Sequence, residues 1–303
     1  MVKIDLITGF LGSGKTTFIK KYAKYLLDKG MNIGILENDF GAVNVDMLLL
    51  QDLMGDNCEL EMIAGGCDLD CHKRRFKTKL ISMAMLGFDR VIVEPSGIFE
   101  VEEFFDLLCE EPLDRWYKIE NVIAIVDAKL DTNLSKEAHY LFTSQIATAG
   151  EVILSRVSNA SQKEIQTISS YINSAHILAK DWSTLSAADF KKISTCGYHP
   201  ENQAKLWFDQ KETFSSLYYM NVRMSKEELF KTVEKLMNDK ACGNIFRVKG
   251  FMKISDSKWV ELNATHDKIS ISPIAVGQEI IIVIGEELAE EEGIDEEALI
   301  KFL

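Results

Sequence analysis

Hydrophobic positions in the first half of the chain fall into short, nearly unbroken runs, separated by longer stretches where apolar residues recur at helical spacing. The runs predict strands over residues 3–8, 32–37, 90–94, 121–127, 152–155 and 176–179. Their near-continuous apolar character is that of strands buried on both faces, as in a parallel sheet. Between them, patterns such as Phe18, Tyr22, Tyr25 and Leu26 predict amphipathic helices. Alternation of the two predicts an α/β fold, a parallel sheet with helices on both faces.

From residue 188 to 213 the periodicity fades around Gly197, Pro200, Trp207 and Phe208, which reads as a helix followed by a linker. Beyond it the pattern changes to strands over 216–223, 245–254, 258–263, 268–272 and 279–284. Ser225 with Glu228 three residues on marks the start of a helix between the first two of these. A last, acidic helix is expected after Ile294, capped by Asp295. The predicted organisation is an α/β domain over 1–187, a helix and linker over 188–213, and a small α+β domain over 214–303.

Composition narrows the partners. The net charge of −13 leaves no broad basic face, so no nucleic-acid partner is expected. The densest basic run, 73–79, reads as the solvated side of a helix. No apolar stretch approaches the ~20 residues of a membrane span, and the first residues lead straight into a strand rather than a signal peptide. Six cysteines with no export signal predict reduced thiols and a cytoplasmic location.

The chemistry starts at residues 9–16, G-F-L-G-S-G-K-T, a full match to the phosphate-binding pattern G-x-x-x-x-G-K-[ST] between a predicted strand and helix. Backbone N–H groups of such a loop converge on the β-phosphate, aided by the positive end of the following helix. Gly9, Leu11, Gly12, Ser13, Gly14, Lys15, Thr16 and Thr17 are the expected nucleotide contacts. Lys15 would bridge the β- and γ-phosphates and Thr16 would ligate Mg²⁺. Glu94 closes the strand V-I-V-E before P-S-G, where a carboxylate can hold Mg²⁺ or the attacking water, and Gly97 allows close backbone approach to the γ-phosphate. Lys15 and Glu94 are therefore the expected catalytic pair. Glu37 and Asp39, in E-N-D-F-G, either sense the nucleotide through Mg²⁺ or form a polar turn. All these motifs sit at the carboxyl ends of predicted strands, where open α/β sheets bind ligands.

A second cluster reads G-G-C-D-L-D-C-H over residues 65–72. On a helix, Cys67 and Cys71 share one face, and with Asp70 and His72 nearby they suit Zn²⁺ or Co²⁺. Cys58 could add a sulfur. The same spacing also fits two small buried cysteines at a helix start.

Taken together, these residues resemble the CobW family of P-loop GTPases, relatives of the UreG and HypB nickel-insertion proteins. The resemblance rests on residues 9–17, on E-N-D-F-G-x-x-x-x-D (37–46), G-G-C (65–67), E-P-S-G (94–97) and V-D-A (126–128), with Gln145 and Ala149. R-V-K-G-F (247–251) and I-V-I-G (282–285) resemble the family's C-terminal module. It implies a GTP-hydrolysing metallochaperone that delivers zinc or cobalt to a client metalloprotein; a homodimer is compatible with it. Three departures stand out. Leu69 and Asp70 replace cysteines of the family's G-C-x-C-C, and Ala42 replaces its switch glutamate. Ser155-Arg156-Val157-Ser158 replaces the guanine-reading N-K-x-D. Arg156 keeps an aliphatic stem to lie along the base, but Ser158 offers no carboxylate. A weak preference for GTP over ATP is thus expected, restored by Ser158→Asp. Two other functions compete: a nucleotide-dependent binding module with little turnover, and a small-molecule P-loop kinase.

Overall fold

The computed structural model describes residues 1–39, 46–64, 69–172, 176–199, 213–255, 258–275, 277 and 279–288. The chain divides into two compact units, Met1–Leu206 and Trp207–Leu303. The first runs β1 (Val2–Thr8), α1 (Lys15–Asp28), β2 (Ile33–Asp39), β3 (Cys58–Ala64), α2 (Leu69–Met85) and β4 (Arg90–Pro95). It continues with α3 (Val101–Leu108), α4 (Leu113–Trp116), β5 (Tyr117–Asp127), α5 (Lys136–Ala147) and β6 (Glu151–Ser155). α6 (Gln162–Ile172), β7 (Ile177–Leu178) and α7 (Ala187–Ile193) complete it.

The strands form one seven-stranded sheet in the order β3-β2-β4-β1-β5-β6-β7, and every pairing is parallel. Parallel neighbours need a crossover, and helices returning over the sheet bury both of its faces. On one face Ile7, Ile35, Ile92 and Ile125 pack with Phe18, Tyr22 and Leu26 of α1 and Phe190 and Ile193 of α7. The alternate positions Leu6, Leu36, Val91 and Val93 are just as buried. On that second face Gly34 has no room for a Cβ, which would stand 2.6 Å from the end of Met83 on α2.

All six strands expected in this half form. The seventh, β3, was not legible as an apolar run: Cys58 and Leu60 are buried, but Glu59 and Glu61 are half-buried and Met62 is exposed. Such alternation belongs to an edge strand solvated on one side. The basic run in α2 is largely solvated, with Lys73 and Lys77 paired to Glu110 and Lys79 to Glu61. α7 opens on a capping box in which Ser186 and Asp189 satisfy each other's backbone N–H groups.

In the second unit β8 (Phe214–Met220), α8 (Lys226–Asn238), β9 (Asn244–Ser255), β10 (Lys258–Thr265), β11 (Lys268–Ile274) and β12 (Ile280–Glu286) follow in turn. Their antiparallel sheet has the order β11-β10-β9-β12-β8. Leu229, Val233 and Met237 of α8 cover Val248, Leu262, Ile281 and Val283. The expected Ser225–Glu228 capping box is present. The linker aromatics Trp207 and Phe208 and the expected final helix lie outside the described residues.

Candidate functional site

Polar side chains gather where β1, β2, β4, β5 and β6 end. β1 delivers Thr8 to a turn whose Gly9, Gly12 and Gly14 take φ values of 143°, 72° and 98°, backbone that residues with a Cβ rarely adopt. Gly9 is required twice over, because a Cβ there would stand 2.2 Å from the Ile125 carbonyl oxygen of β5. Gly14 is the N-cap of α1 and provides no side-chain cap. The first turn of α1 therefore keeps its N–H groups for a ligand rather than for its own chain.

Lys15 is 6 % exposed, and its ammonium donates to the Gly9 carbonyl oxygen at 2.9 Å. That bond folds the side chain back along the loop, where a bound polyphosphate would lie. Thr16 Oγ1 donates to Glu94 Oε1 at 2.9 Å, both buried, so the two expected Mg²⁺ ligands already touch. Ser13, 2 % exposed, has its hydroxyl buried without a hydrogen-bond partner among the described residues, as do Thr8 and Ser155. Thr17 is exposed. Gly97 backs directly onto the loop: a Cβ there would lie 2.8 Å from the Leu11 N. Gln145 of α5 holds this segment, its amide donating to the Gly97 carbonyl at 3.0 Å. Gln145 entered the sequence reading only through the family resemblance; its place is now a positioning contact.

Glu37 and Glu94 are register partners on β2 and β4, so their side chains leave the same face of the sheet. Both are buried. The structure thus joins Glu37 to the Thr16–Glu94 pair. The side chain of Asp39 and residues 40–45 lie outside the described part of the chain.

Arg156 takes the left-handed conformation at φ 55°. Its guanidinium donates to the Gly12 carbonyl at 3.0 Å and pairs with Asp127 at the end of β5. The residue expected to flank the base therefore also clamps the loop. Sequence reasoning missed this role of Asp127, although the V-D-A signal was visible.

Around the second motif, His72 is buried with Nε2 2.6 Å from Asn38 Oδ1 at the end of β2. Cys71 is half-buried on the first turns of α2. Cys67 lies outside the described residues. Cys58 cannot join them: it begins β3 opposite Ile33, about 20 Å of strand away from the end that feeds α2. Burial instead pushes its thiol up to about 11. Among the described residues no group of three or more His, Cys, Asp or Glu is placed to hold a metal ion, and no helix is long and apolar enough to cross a membrane.

Residues 3–180 match the nucleotide-binding domain described as CobW/HypB/UreG. The zinc chaperone YeiR of Escherichia coli (strain K12) is 28 % identical over 169 residues, 55 % of this chain and 50 % of that protein. The zinc chaperone YjiA of the same strain is 27 % identical over 178 residues, 54 % and 52 % of the two chains. Zinc-regulated GTPase metalloprotein activator 1 of Dictyostelium discoideum is 24 % identical over 309 aligned residues, 84 % of this chain and 63 % of that one. The chain spans about half the length of the first two relatives. Among solved structures, the Zn(II)-bound YjiA GTPase from E. coli covers 96 % of both chains at 22 % identity, with a TM-score of 0.42.

Proposed function

The chain belongs to the CobW/HypB/UreG family, and from that premise we propose that it binds GTP and hydrolyses it slowly, using nucleotide state to gate delivery of a metal ion such as zinc to a client metalloprotein. The observation that carries the nucleotide half is the preformed constellation of Lys15 on the Gly9 carbonyl beside the Thr16–Glu94 hydrogen bond. The zinc half is supported by the names of the relatives, zinc chaperones and a zinc-regulated GTPase activator.

The donor set fits Mg²⁺, which prefers hard oxygen ligands in small number and otherwise keeps water and phosphate. Thr16 and Glu94 would hold it, and when bound it would neutralise charge on the β- and γ-phosphates. Lys15 binds and orients the same oxygens. Glu94, held by Thr16, would also orient the attacking water. Gly97, braced by Gln145, lets its backbone approach the γ-phosphate.

Lys15→Ala is expected to lower GTP affinity about 100-fold or more, by loss of a charge-assisted contact in a water-poor loop. Titration with a fluorescent GTP analogue reads this, and near-native affinity in the variant would overturn the proposal. Glu94→Gln is expected to spare binding more than turnover; binding without turnover in the parent would leave the binding-module reading instead. For the metal, Co²⁺ added to reduced protein is expected to give a thiolate charge-transfer band at about one ion per chain that Cys67→Ser and Cys71→Ser each remove. A band that survives both changes would place the cargo elsewhere.

A further inference from the structure

The purine lacks its usual reader, since Ser158 stands where the family has a carboxylate. The next strand brings one. β6 and β7 lie on the opposite side of β1 from β4, so their ends flank the phosphate loop away from Glu94. The loop after β7 carries Asp181 and Trp182. The indole is held by a 2.9 Å hydrogen bond from Nε1 to the Leu154 carbonyl of β6. Its ring lies 3.5 Å from where a Cβ on Gly14 would be, and Ser155 Cβ 3.8 Å from the same point. The ring also meets Phe18 of α1 edge-on, with centroids 5.6 Å apart. Ser155, Arg156, Ser158, Asp181 and Trp182 therefore converge beside the start of α1. With the γ-phosphate towards Thr16 and Glu94, the nucleoside half of the ligand falls on this side.

We propose that Asp181 is the guanine reader of this chain, accepting the N1–H and N2–H₂ donors that Ser158 cannot accept; the assignment rests on the nucleotide reading above. The Ser183 hydroxyl and backbone N–H donate to its Oδ1 at 2.6 Å and 2.7 Å, which orients the carboxylate. The Ser158 hydroxyl is a further partner. These bonds, Ser183's side chain first, hold the Asp181 carboxyl below the usual carboxylate range, so it is ionised at neutral pH. A fixed carboxylate selects guanine over adenine because guanine offers two adjacent donors, whereas adenine offers one donor beside a repelling N1 lone pair. The expectation of weak selectivity drawn from Ser158 alone is thereby reversed.

Asp181 also caps the short turn Trp182–Thr184, and a cap alone would explain its Ser183 bonds. Asparagine caps as well as aspartate, so Asp181→Asn separates the two roles. Its Nδ2 donates where the carboxylate accepted, which suits xanthine, whose C2 bears a carbonyl in place of the amine. The test is competition of GTP, ATP and XTP against one fluorescent triphosphate analogue. The unmodified protein is expected to prefer GTP over ATP by about 100-fold or more. Asp181→Asn is expected to lose ~10–100-fold in GTP affinity while XTP gains by a similar factor. Ser158→Asp, which places a like charge beside Asp181, is expected to leave selectivity unimproved. Retention of the parental GTP, ATP and XTP affinities in Asp181→Asn to within about twofold would overturn the assignment, as would a parent that binds GTP and ATP equally. A parent that binds no triphosphate at all would instead overturn the nucleotide reading, and this assignment with it.

Discussion

The two ends of the parallel sheet hold two polar clusters built on the same strands, and they differ in how completely they satisfy themselves. At the amino end, Asp5 of β1 is fully buried and accepts from Tyr22 at 2.7 Å, Arg90 at 2.8 Å and Asn121 at 2.8 Å. Arg90 and Asn121 also donate to the Ser194 carbonyl, and Asn121 accepts from the Gly197 N–H. Of the fully buried polar atoms in these side chains, only Arg90 Nε lacks a hydrogen-bond partner among the described residues. At the carboxyl end, the hydroxyls of Thr8, Ser13 and Ser155 are buried with no such partner, and the first turn of α1 has no side-chain cap. Buried polar groups cost free energy when unmatched. A cluster that closes on itself is therefore architecture, tying β1, β4, β5, α1 and the end of α7 together. One that leaves donors and acceptors open is shaped for something that arrives.

The largest effect that tests this contrast is at the closed end. Arg90→Leu removes the cation and strands Asp5 as an uncompensated buried charge, which is expected to destabilise the fold by about 3–5 kcal/mol. Urea unfolding measures it. The double variant Asp5→Leu/Arg90→Leu is expected to cost less than the sum of the singles, because each single leaves a lone buried charge and the double leaves none. GTP affinity of the folded variant is expected to stay within about threefold of the parent. A cost under ~1 kcal/mol for Arg90→Leu would break the comparison, since a closed network would then contribute no more than a surface pair.

The open end is expected to answer the other way, with ligand lost and stability largely kept. Gly97→Ala forces a Cβ to within 2.8 Å of the Leu11 backbone, so the loop must shift by several tenths of an ångström. A fall of ~10-fold or more in GTP affinity is expected, on the scale of a 1–3 kcal/mol overpacking cost. Gln145→Leu removes the amide that holds the Gly97 carbonyl, and turnover is expected to drop by about 10-fold, more than affinity does, because the brace acts on the γ-phosphate side. Equal losses in both quantities would mean that Gln145 supports the fold rather than the reaction.

Much of this was legible in the sequence because local patterns and global fold agree: continuous apolar runs mark strands buried on both faces, and the phosphate loop announces itself between strand and helix. β3 escaped because one of its faces is half solvated, and an alternating strand with two glutamates reads as a polar connector. Within the site, Lys15, Thr16, Glu94 and Gly97 were legible since their spacing is fixed by one loop and one strand end. The roles of Asp127 and Trp182 were not: Asp127 reaches the loop through Arg156 and Trp182 lies against Gly14 only after parallel strands distant in sequence are laid side by side. For the same reason the Asp5–Arg90 pair, separated by 85 positions, left no signal in either segment. Cys58 misled for the converse reason, since a thiol near a motif in sequence can stand at the far end of a strand in space.

The smallest expected effect is a pH dependence that again sorts the two ends. Burial pushes the Cys58 thiol up to about 11 and, helped by the charges of Asp5 and Glu151, the Cys196 thiol up to about 12. Cys58 starts β3 and Cys196 adjoins the Asp5 network, so both belong to the closed end. In the unfolded chain these thiols ionise at their ordinary, lower value. Between that value and about 11 or 12 the native state therefore holds protons that the unfolded state has released. Stability contributed this way is fully present below the unfolded thiol range and is lost as pH rises through the native values. Burial also raises Tyr22 and Tyr117, which push in the same direction, so the parent alone cannot isolate the thiols. The comparison that does is the slope of unfolding free energy above the unfolded thiol value and up to about 12 in the parent and in Cys196→Ala. The variant is expected to lose stability less steeply with pH, whatever its absolute stability. Identical slopes would mean that the Cys196 thiol ionises as easily folded as unfolded, and that water reaches the amino end of the sheet more freely than its packing implies.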